Sequence, residues 1–379
     1  MTAQLPTRRP PLKVLLATAR YFPYVGGTET HVYEVARRLV QNGVDVTVLT
    51  TDPSRALPQD ETIEGVRIRR VPSWPAREDY YFAPDVYNFA IEGDWDVIHC
   101  QGCHTFVPPL AMLAGLRRQI PYVVTFHLGG HSSRLRNSLR GIQWTVLGPL
   151  LKRASCLVAV SHFEAKFFQT RLNLEADRFV YIPNGSNLPA VTGDSSADGG
   201  DTLITSVGRL ERYKGHHRVI AALPHVLQQR PDVRLRIVGS GPHEALLREQ
   251  AREIGVADRV EIGAIPASDR EGMARVLSRS SLVTLLSEAE SNPVAVMEAV
   301  ALGRSVLVAN GTGLRDLAER GLVRAIPLES TDAEVGDAIL NQLSHPFVPP
   351  PIELPTWDGC ARNVLDVYYS VLRGNSCGS

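Results

Sequence analysis

The stretch Ser281-Leu282-Val283-Thr284-Leu285-Leu286-Ser287-Glu288-Ala289-Glu290-Ser291-Asn292-Pro293-Val294-Ala295-Val296-Met297-Glu298-Ala299 decides how the chain folds. Its first six residues are apolar and partly β-branched, which predicts a short buried strand. Val296, Ala299, Val300 and Leu302 then recur at helical spacing until Gly303 stops the helix, and Pro293 stands where a first-turn proline is tolerated. Glu290 therefore falls in a strand-to-helix loop and Glu298 on the helix that follows. In a doubly wound sheet such a loop is where ligands bind, with the free N–H groups of the helix N-terminus facing an anion. Two glutamates placed this way can hold two hydroxyl groups of one ligand. The competing explanation is a first-turn charge that favours the helix dipole plus a solvated helix glutamate.

The pattern repeats on both sides. Leu203–Val207 predicts a strand, Gly208-Arg209-Leu210-Glu211-Arg212-Tyr213-Lys214-Gly215 a turn, and Val219, Ile220, Leu223, Val226 and Leu227 one face of a helix. Arg209 and Lys214 leave the carboxyl end of that strand and can converge on one multiply charged anion, arginine as a bidentate fork and lysine as a point charge. Further strand-turn-helix units are expected at Leu235–Gly241, Arg259–Ala267 and Ser305–Gly313. Gly239-Ser240-Gly241 is only a two-glycine turn, weak as a dinucleotide fingerprint. Pro346–Pro355 reads as a proline-rich crossover, and Trp357–Leu372 as a final helix.

The first half has the same texture. Leu12–Thr18, Val44–Thr50, Val66–Val71, Asp96–Cys100, Tyr122–Phe126, Cys156–Val160 and Phe179–Ile182 are strand candidates with helical patterns between several of them. That alternation argues a parallel α/β sheet. Gly26-Gly27 precedes a helix carrying Val32, Val35, Ala36 and Leu39, where glycine lets backbone approach a phosphate; a plain turn and cap explains two glycines equally well. His127 ends a strand, where α/β proteins place ligand-contacting side chains; His131 follows it in the Gly129-Gly130-His131 run. Trp74–Asn88 reads as a surface loop able to line an acceptor pocket. Asp94-Trp95-Asp96 precedes its strand, so it reads as a strand-entry turn and not as a metal-holding pair. Ser133–Arg153 carries five basic residues and no acid, with Leu135, Leu139, Ile142, Val146 and Leu150 as an apolar face. It is either a helix packed on the sheet with a solvated basic face or a peripheral membrane contact. Thr192–Asp201 is small, polar and glycine-rich, a linker between two halves.

The 379 residues carry 40 basic and 40 acidic side chains. No basic patch interleaved with aromatics stands out, which argues against a nucleic-acid partner. No apolar run approaches the ~18 residues of a membrane span, and Met1–Pro11 lacks the apolar region of a secretory signal. The five cysteines are scattered, which fits a reducing cytoplasm. Cys100 and Cys103 form a lone Cys-x-x-Cys, read as buried thiols in preference to redox or zinc ligands.

Taken together, Pro23-x-x-Gly26-Gly27-x-Glu29, Thr125-Phe126-His127, Val160-Ser161, Ile182-Pro183-Asn184-Gly185, Gly208-Arg209-Leu210-x-x-x-Lys214-Gly215 and Glu290-x7-Glu298 make a recognisable set. The chain resembles the GT-B-fold retaining glycosyltransferases of glycosyltransferase family 4 (glycosyl transferases group 1). The resemblance implies an α/β fold of two Rossmann-like domains across a cleft: an acceptor-side domain over 1–185, a nucleotide-sugar domain over 186–356, and a helix over 357–379 that crosses back. It implies a donor diphosphate held by Arg209 and Lys214 with backbone at Gly26, Gly27, Val294 and Ala295. Glu298 would hold the ribose, and Glu290 with the Asn292 backbone the donor sugar. His127 would lie near the transferred sugar and the turn at Gly263-Ala264-Ile265 would read the base. Catalytic roles are expected for His127, Glu290, Arg209 and Lys214, with no metal and no cofactor, in the cytoplasm. The expected reaction moves a sugar from an NDP-sugar, UDP-sugar first, to a hydroxyl of a small molecule. The alternatives are a lipid or polysaccharide acceptor at the membrane, or a nucleotide-sugar 2-epimerase. The chain departs from the family in two places: Ser291-Asn292-Pro293 stands where Gly-Phe-Gly is frequent, and Gln101 follows His99 where a second histidine is frequent.

Overall fold

In a computed structural model of the chain, the residues described are 10–24, 26–75, 81–127, 144–186, 188–189, 202–266, 269–350, 353, 355–375 and 377. The N-terminal tail up to residue 9, His131, most of the 133–153 segment and the 192–201 linker lie outside them.

The first half builds an eight-stranded sheet from β1 (Lys13–Ala17), β2 (Asp45–Thr51), β3 (Asp60–Ile63), β4 (Val66–Val71), β5 (Val97–Gln101), β6 (Tyr122–Thr125), β7 (Cys156–Ala159) and β8 (Phe179–Tyr181), in the order β3-β4-β2-β1-β5-β6-β7-β8. All pairings are parallel except the β3–β4 hairpin. Its helices are α1 (Gly27–Gln41), α2 (Asp85–Glu92), α3 (Val107–Arg118), α4 (144–151) and α5 (His162–Leu172). The second half builds a six-stranded parallel sheet, β11-β10-β9-β12-β13-β14, from β9 (Thr202–Val207), β10 (Val233–Val238), β11 (Val260–Gly263), β12 (Leu282–Leu285), β13 (Val306–Ala309) and β14 (Arg324–Ile326). Between and after them run α6 (His216–Gln229), α7 (Glu244–Glu253), α8 (Arg270–Arg279), α9 (Val294–Ala301), α10 (Thr312–Glu319), α11 (Asp332–Ser344) and α12 (Trp357–Leu372).

The strands are apolar on both faces because both faces are covered. Along β1, Val14 and Leu16 join one core layer while Leu15 and Ala17 join the opposite one, as the two-residue period of a strand requires. β12 divides likewise, Leu282 into one layer and Val283 and Leu285 into the other. In each sheet the strand order reverses beside the first strand, between β1 and β5 and between β9 and β12. That reversal opens a crevice at the carboxyl ends of the strands, and the loops after β1, β9 and β12 carry the motifs singled out from sequence.

α12 follows the second half in sequence but packs on the first. Trp357, Cys360, Val364, Val367, Tyr368 and Val371 enter the core layer of β1, β2 and α1, each large apolar side chain contributing about 1.5–3 kcal/mol when fully buried. Arg38 of α1 is ion-paired to Asp358 at the start of α12. Gly185 allows the approach: a Cβ there would lie 2.3 Å from the Trp357 amide nitrogen.

Several expectations are corrected. The Trp74–Asn88 segment is not a simple surface loop. Trp74 bridges to Phe82, Tyr81, Ala83 and Val86 are buried, and residues from Asp85 onward are helical; residues 76–80 lie outside the described set. In α4 the buried face is Trp144, Leu147 and Leu151, spaced for a helix, while Val146, expected on the apolar face, is 68% exposed. Cys100 and Cys103 are buried thiols, as expected, and so is Cys360, but Cys156 and Cys377 form a disulfide that the reading of scattered cysteines did not anticipate. Gly239 and Gly241 are packing residues, since a Cβ at either would meet the carbonyl oxygen of Gly208 or Leu210. Their turn locks the 208–210 loop, with the Leu210 N–H donating to the Ser240 carbonyl at 3.0 Å.

Candidate active site

Two loops of the second half form the cationic and acidic sides of one site. After β9, Gly208 leads to a short 3-10 turn, Arg212–Lys214, and Gly215 in the left-handed conformation (φ 77°). A Cβ on Gly215 would lie 2.0 Å from the Leu286 carbonyl oxygen, so glycine seats this turn directly against the end of β12. The Glu288 N–H donates to the Tyr213 carbonyl at 2.8 Å. The result is an ion pair between Lys214 and Glu290, whose side chains are only 15% and 10% exposed. Burial acts against the lysine charge, but the Glu290 carboxylate and Tyr213 outweigh it and hold the ammonium above its ordinary range. Arg209 is more open, 40% exposed, with Glu211 at 3.3 Å.

The Glu290 loop is clamped by α10. Thr312 Oγ1 accepts from the Glu290 N–H and donates to the Glu290 carbonyl, both at 2.7 Å, and the Gly313 N–H donates to the same carbonyl at 2.8 Å. Glu298 is 2% exposed and ion-paired to Arg270 at the start of α8. Burial raises its carboxyl above the usual range, Arg270 opposes that, and Glu34 of α1 adds to the rise. Ile265 follows β11 and packs, partly buried, with Val207, Val238 and Met273. Val294 and Ala295 open α9, and Val294 packs against the first half's core.

The first half contributes Gly26, extended at the cap of α1, and Gly27, where a Cβ would meet nothing within 4 Å. One turn further, His31 is 1% exposed, with Nδ1 2.8 Å from Asn184 Oδ1. His127, two residues past β6, lies edge-on to the His31 ring at 4.8 Å and places Nε2 2.9 Å from Gln101 Oε1. Burial, then the nearby His31, His104 and His99, hold His127 well below its ordinary pKa; burial also lowers His31 to about 4.

The two halves are joined by the residues that depart from the family pattern. Ser291 Oγ donates to Glu164 Oε1 at 3.0 Å and Asn292 Nδ2 to the Val160 carbonyl at 3.1 Å. Asn184 Nδ2 donates to the Asn292 carbonyl at 3.2 Å. Glu164 is fully buried and also accepts from the Val160 N–H at 2.9 Å, completing a variant of the capping box at the start of α5. So Asn292 is held from both sides, by its side chain and by its backbone carbonyl.

Of the sequence-derived candidates, Lys214 and Glu290 are in contact, Glu298 sits beside a cation, and Asn292 connects through Asn184 and His31 to His127. Sequence reading missed Arg270, Thr312, His31 and Asn184. Asn184 was within a quoted motif, and Arg270 stands one residue after the cap Asp269, a helix-start signal that carried no hint of its partner. No group of three or more potential metal ligands occurs among the described residues.

A model of glycosyltransferase family 4 matches residues 25–188, and a model of glycosyl transferases group 1 matches residues 192–344. Phosphatidyl-myo-inositol mannosyltransferase of Mycolicibacterium smegmatis is 29% identical over 367 residues, covering 92% of each chain. GDP-mannose:cellobiosyl-diphosphopolyprenol alpha-mannosyltransferase of Xanthomonas oryzae pv. oryzae is 28% identical over 301 residues, 77% of each. Among solved structures, sucrose-phosphate synthase from Thermosynechococcus elongatus superposes with a TM-score of 0.72 at 19% identity, over 96% of this chain and 97% of that one. The two sheets and their crevice are the GT-B fold.

Proposed function

The chain belongs to the family 4, group 1 glycosyltransferases, and from that membership we propose that it moves a hexose, with retention, from a nucleoside-diphosphate sugar to a hydroxyl of a lipid-linked acceptor. The observation that carries the donor side is the Lys214–Glu290 contact at the sheet's reversal point. A cation for the diphosphate and a carboxylate for sugar hydroxyls stand side by side, as a nucleotide sugar needs. Arg209 and Lys214 offset the charge that develops on the leaving diphosphate, a role that fixed cations can fill. Glu298 accepts from the ribose hydroxyls, steadied by Arg270. Retention without a dedicated nucleophile has the acceptor hydroxyl attack on the face the diphosphate leaves, its proton passing to a phosphate oxygen.

The acceptor reading leans on the relatives, whose names give phosphatidyl-inositol and diphosphopolyprenol acceptors and mannose as the sugar. That favours the lipid-linked alternative over the small-molecule acceptor expected from sequence, and it puts GDP-mannose beside UDP-sugars as a donor to try. No described helix is long and apolar enough to cross a membrane, so such an acceptor would be met at a surface. The test is acceptor-dependent release of nucleoside diphosphate. Release from one nucleotide sugar only when a phosphoinositide or polyprenyl-diphosphate glycan is supplied in vesicles supports the reading. Conversion of donor without any acceptor points to an epimerase, and release with soluble acceptors alone refutes the lipid-linked part.

A further inference from the structure

Gln101, which stands where the family frequently has a second histidine, is one member of a buried chain that runs from the crevice to α12. Gln101 Oε1 is 2.9 Å from His127 Nε2, and Gln101 Nε2 is 3.2 Å from His99 Nε2. His99 Nε2 also meets Thr125 Oγ1 at 2.7 Å, and His99 Nδ1 meets the Tyr368 hydroxyl at 2.6 Å. Gln101 is 2% exposed, and His99, Thr125 and Tyr368 are fully buried. Burial holds His99 and His127 below their ordinary pKa range, so near neutral pH each ring carries a single proton. Where that proton sits depends on its neighbours.

The directions of these hydrogen bonds are linked. The Gln101 amide nitrogen can only donate, so His99 Nε2 accepts and the His99 proton resides on Nδ1, where the Tyr368 oxygen receives it. The Gln101 carbonyl oxygen can only accept, so the His127 proton resides on Nε2 and His127 Nδ1 is left as an acceptor. Reversal is the one other self-consistent state. With the amide turned over, His99 carries its proton on Nε2, towards Gln101 Oε1 and Thr125, and His127 must accept at Nε2 and carry its proton on Nδ1. The Thr125 and Tyr368 hydroxyls can each donate or accept, so both serve either direction. Each ring keeps one proton throughout, so reversal changes no charge.

We propose that Gln101, His99 and Tyr368 are positioning residues that couple the tautomer of His127 to the contact α12 makes with His99, and so to whether His127 presents a lone pair or a proton at Nδ1. This rests on the reading of His127 as a neighbour of the transferred sugar: a lone pair there accepts from a sugar hydroxyl, and an N–H donates to one. The device ties the competence of the crevice to the helix by which the second half of the chain returns to the first.

The test uses the full chain with nitrogen-15 in its histidines, observed by long-range proton–nitrogen correlation near neutral pH. The His127 signals are identified by their loss in His127→Asn. The wild type should show His127 protonated at Nε2. Tyr368→Phe removes the acceptor of the His99 Nδ1 proton while keeping the buried ring, and should move the His127 proton to Nδ1. Gln101→Leu cuts the chain, so adding Tyr368→Phe to Gln101→Leu should leave His127 unchanged. His127 protonated at Nδ1 in the wild type overturns the proposal. So does an unchanged His127 in a folded Tyr368→Phe protein, or a response to Tyr368→Phe that survives Gln101→Leu. Turnover separates this inference from the functional reading beneath it. With the tautomer moved, kcat should fall about tenfold at an unchanged donor KM, as for an interaction made mainly in the transition state. A moved tautomer with unchanged turnover keeps the relay and contradicts the placement of His127 at the sugar.

Discussion

Lys214 shows how much a single side chain is asked to do in the resting crevice. Its partner Glu290 is almost out of solvent, so Lys214→Ala leaves a carboxylate without its counter-charge, which costs on the order of 3 kcal/mol when a buried pair is broken from one side. Adding Glu290→Gln should recover most of that loss in a denaturant titration, while nucleotide affinity stays reduced, roughly tenfold or more. Recovery of nucleotide affinity in the double mutant would show that Lys214 acts only by neutralising Glu290. The histidines make a second prediction. Burial lowers His31 to about 4, His99 to about 3 and His216 to about 4, from an ordinary 6.5. Between the folded and unfolded values the unfolded chain binds more protons, so stability rises with pH there. The neutral rings leave stability intact above about pH 6.5 and lower it progressively as pH falls towards 4, each by about 1.4 kcal/mol per pH unit. A melting temperature that is flat from pH 7 to 5 would contradict this. At this scale the sequence was only partly legible. Glu290, Lys214 and Glu298 announced themselves by position after strands. Arg270 did not, because an ion pair between α8 and α9 follows from tertiary packing that no local spacing encodes.

Elements are held by close approaches as much as by side chains. Gly185→Ala would put a Cβ 2.3 Å from the Trp357 amide nitrogen, forcing α12 off its seat at about 1–3 kcal/mol, typical of overpacking. Urea unfolding should show the loss. Gly27→Ala is the counterpart: its Cβ meets nothing, so stability should stay near wild type while nucleotide affinity falls, if backbone at the start of α1 approaches a phosphate. Unchanged affinity would remove Gly27 from the site. The long apolar strands and the amphipathic helices α1, α6 and α12 were readable from periodicity alone. β3 was not, because Asp60–Ile63 is a polar edge strand whose alternation is exposed and intermediate with no fully buried position. α11 was overlooked although Thr331 and Glu334 form a capping box at its start, a signal the sequence did contain. Ser291-Asn292-Pro293 was legible as a departure from the family but not as a bridge, since Glu164 and Val160 lie more than a hundred residues away in sequence.

For the whole molecule, two sheets of the same winding place their reversal points on one crevice, and the loops of the second carry the cationic and acidic side chains of the candidate site. The paired α/β halves followed from the repeating strand-turn-helix texture; the return of α12 and the bridge through Asn292 emerge only from the three-dimensional packing. In the proposed reaction Arg209 and Lys214 bind the diphosphate of a nucleotide sugar without a metal. The most direct measurement is thermal stabilisation by UDP, GDP, ADP and dTDP in EDTA, with the wild type and the Arg209→Ala, Lys214→Ala double mutant side by side. A nucleotide at about 100 times its dissociation constant adds about 2.7 kcal/mol, a rise of a few degrees for a chain of this size. The expected result is such a rise with one nucleotide, undiminished by EDTA and lost in the double mutant. A rise that needs added divalent cation, or one that the double mutant retains, would contradict it.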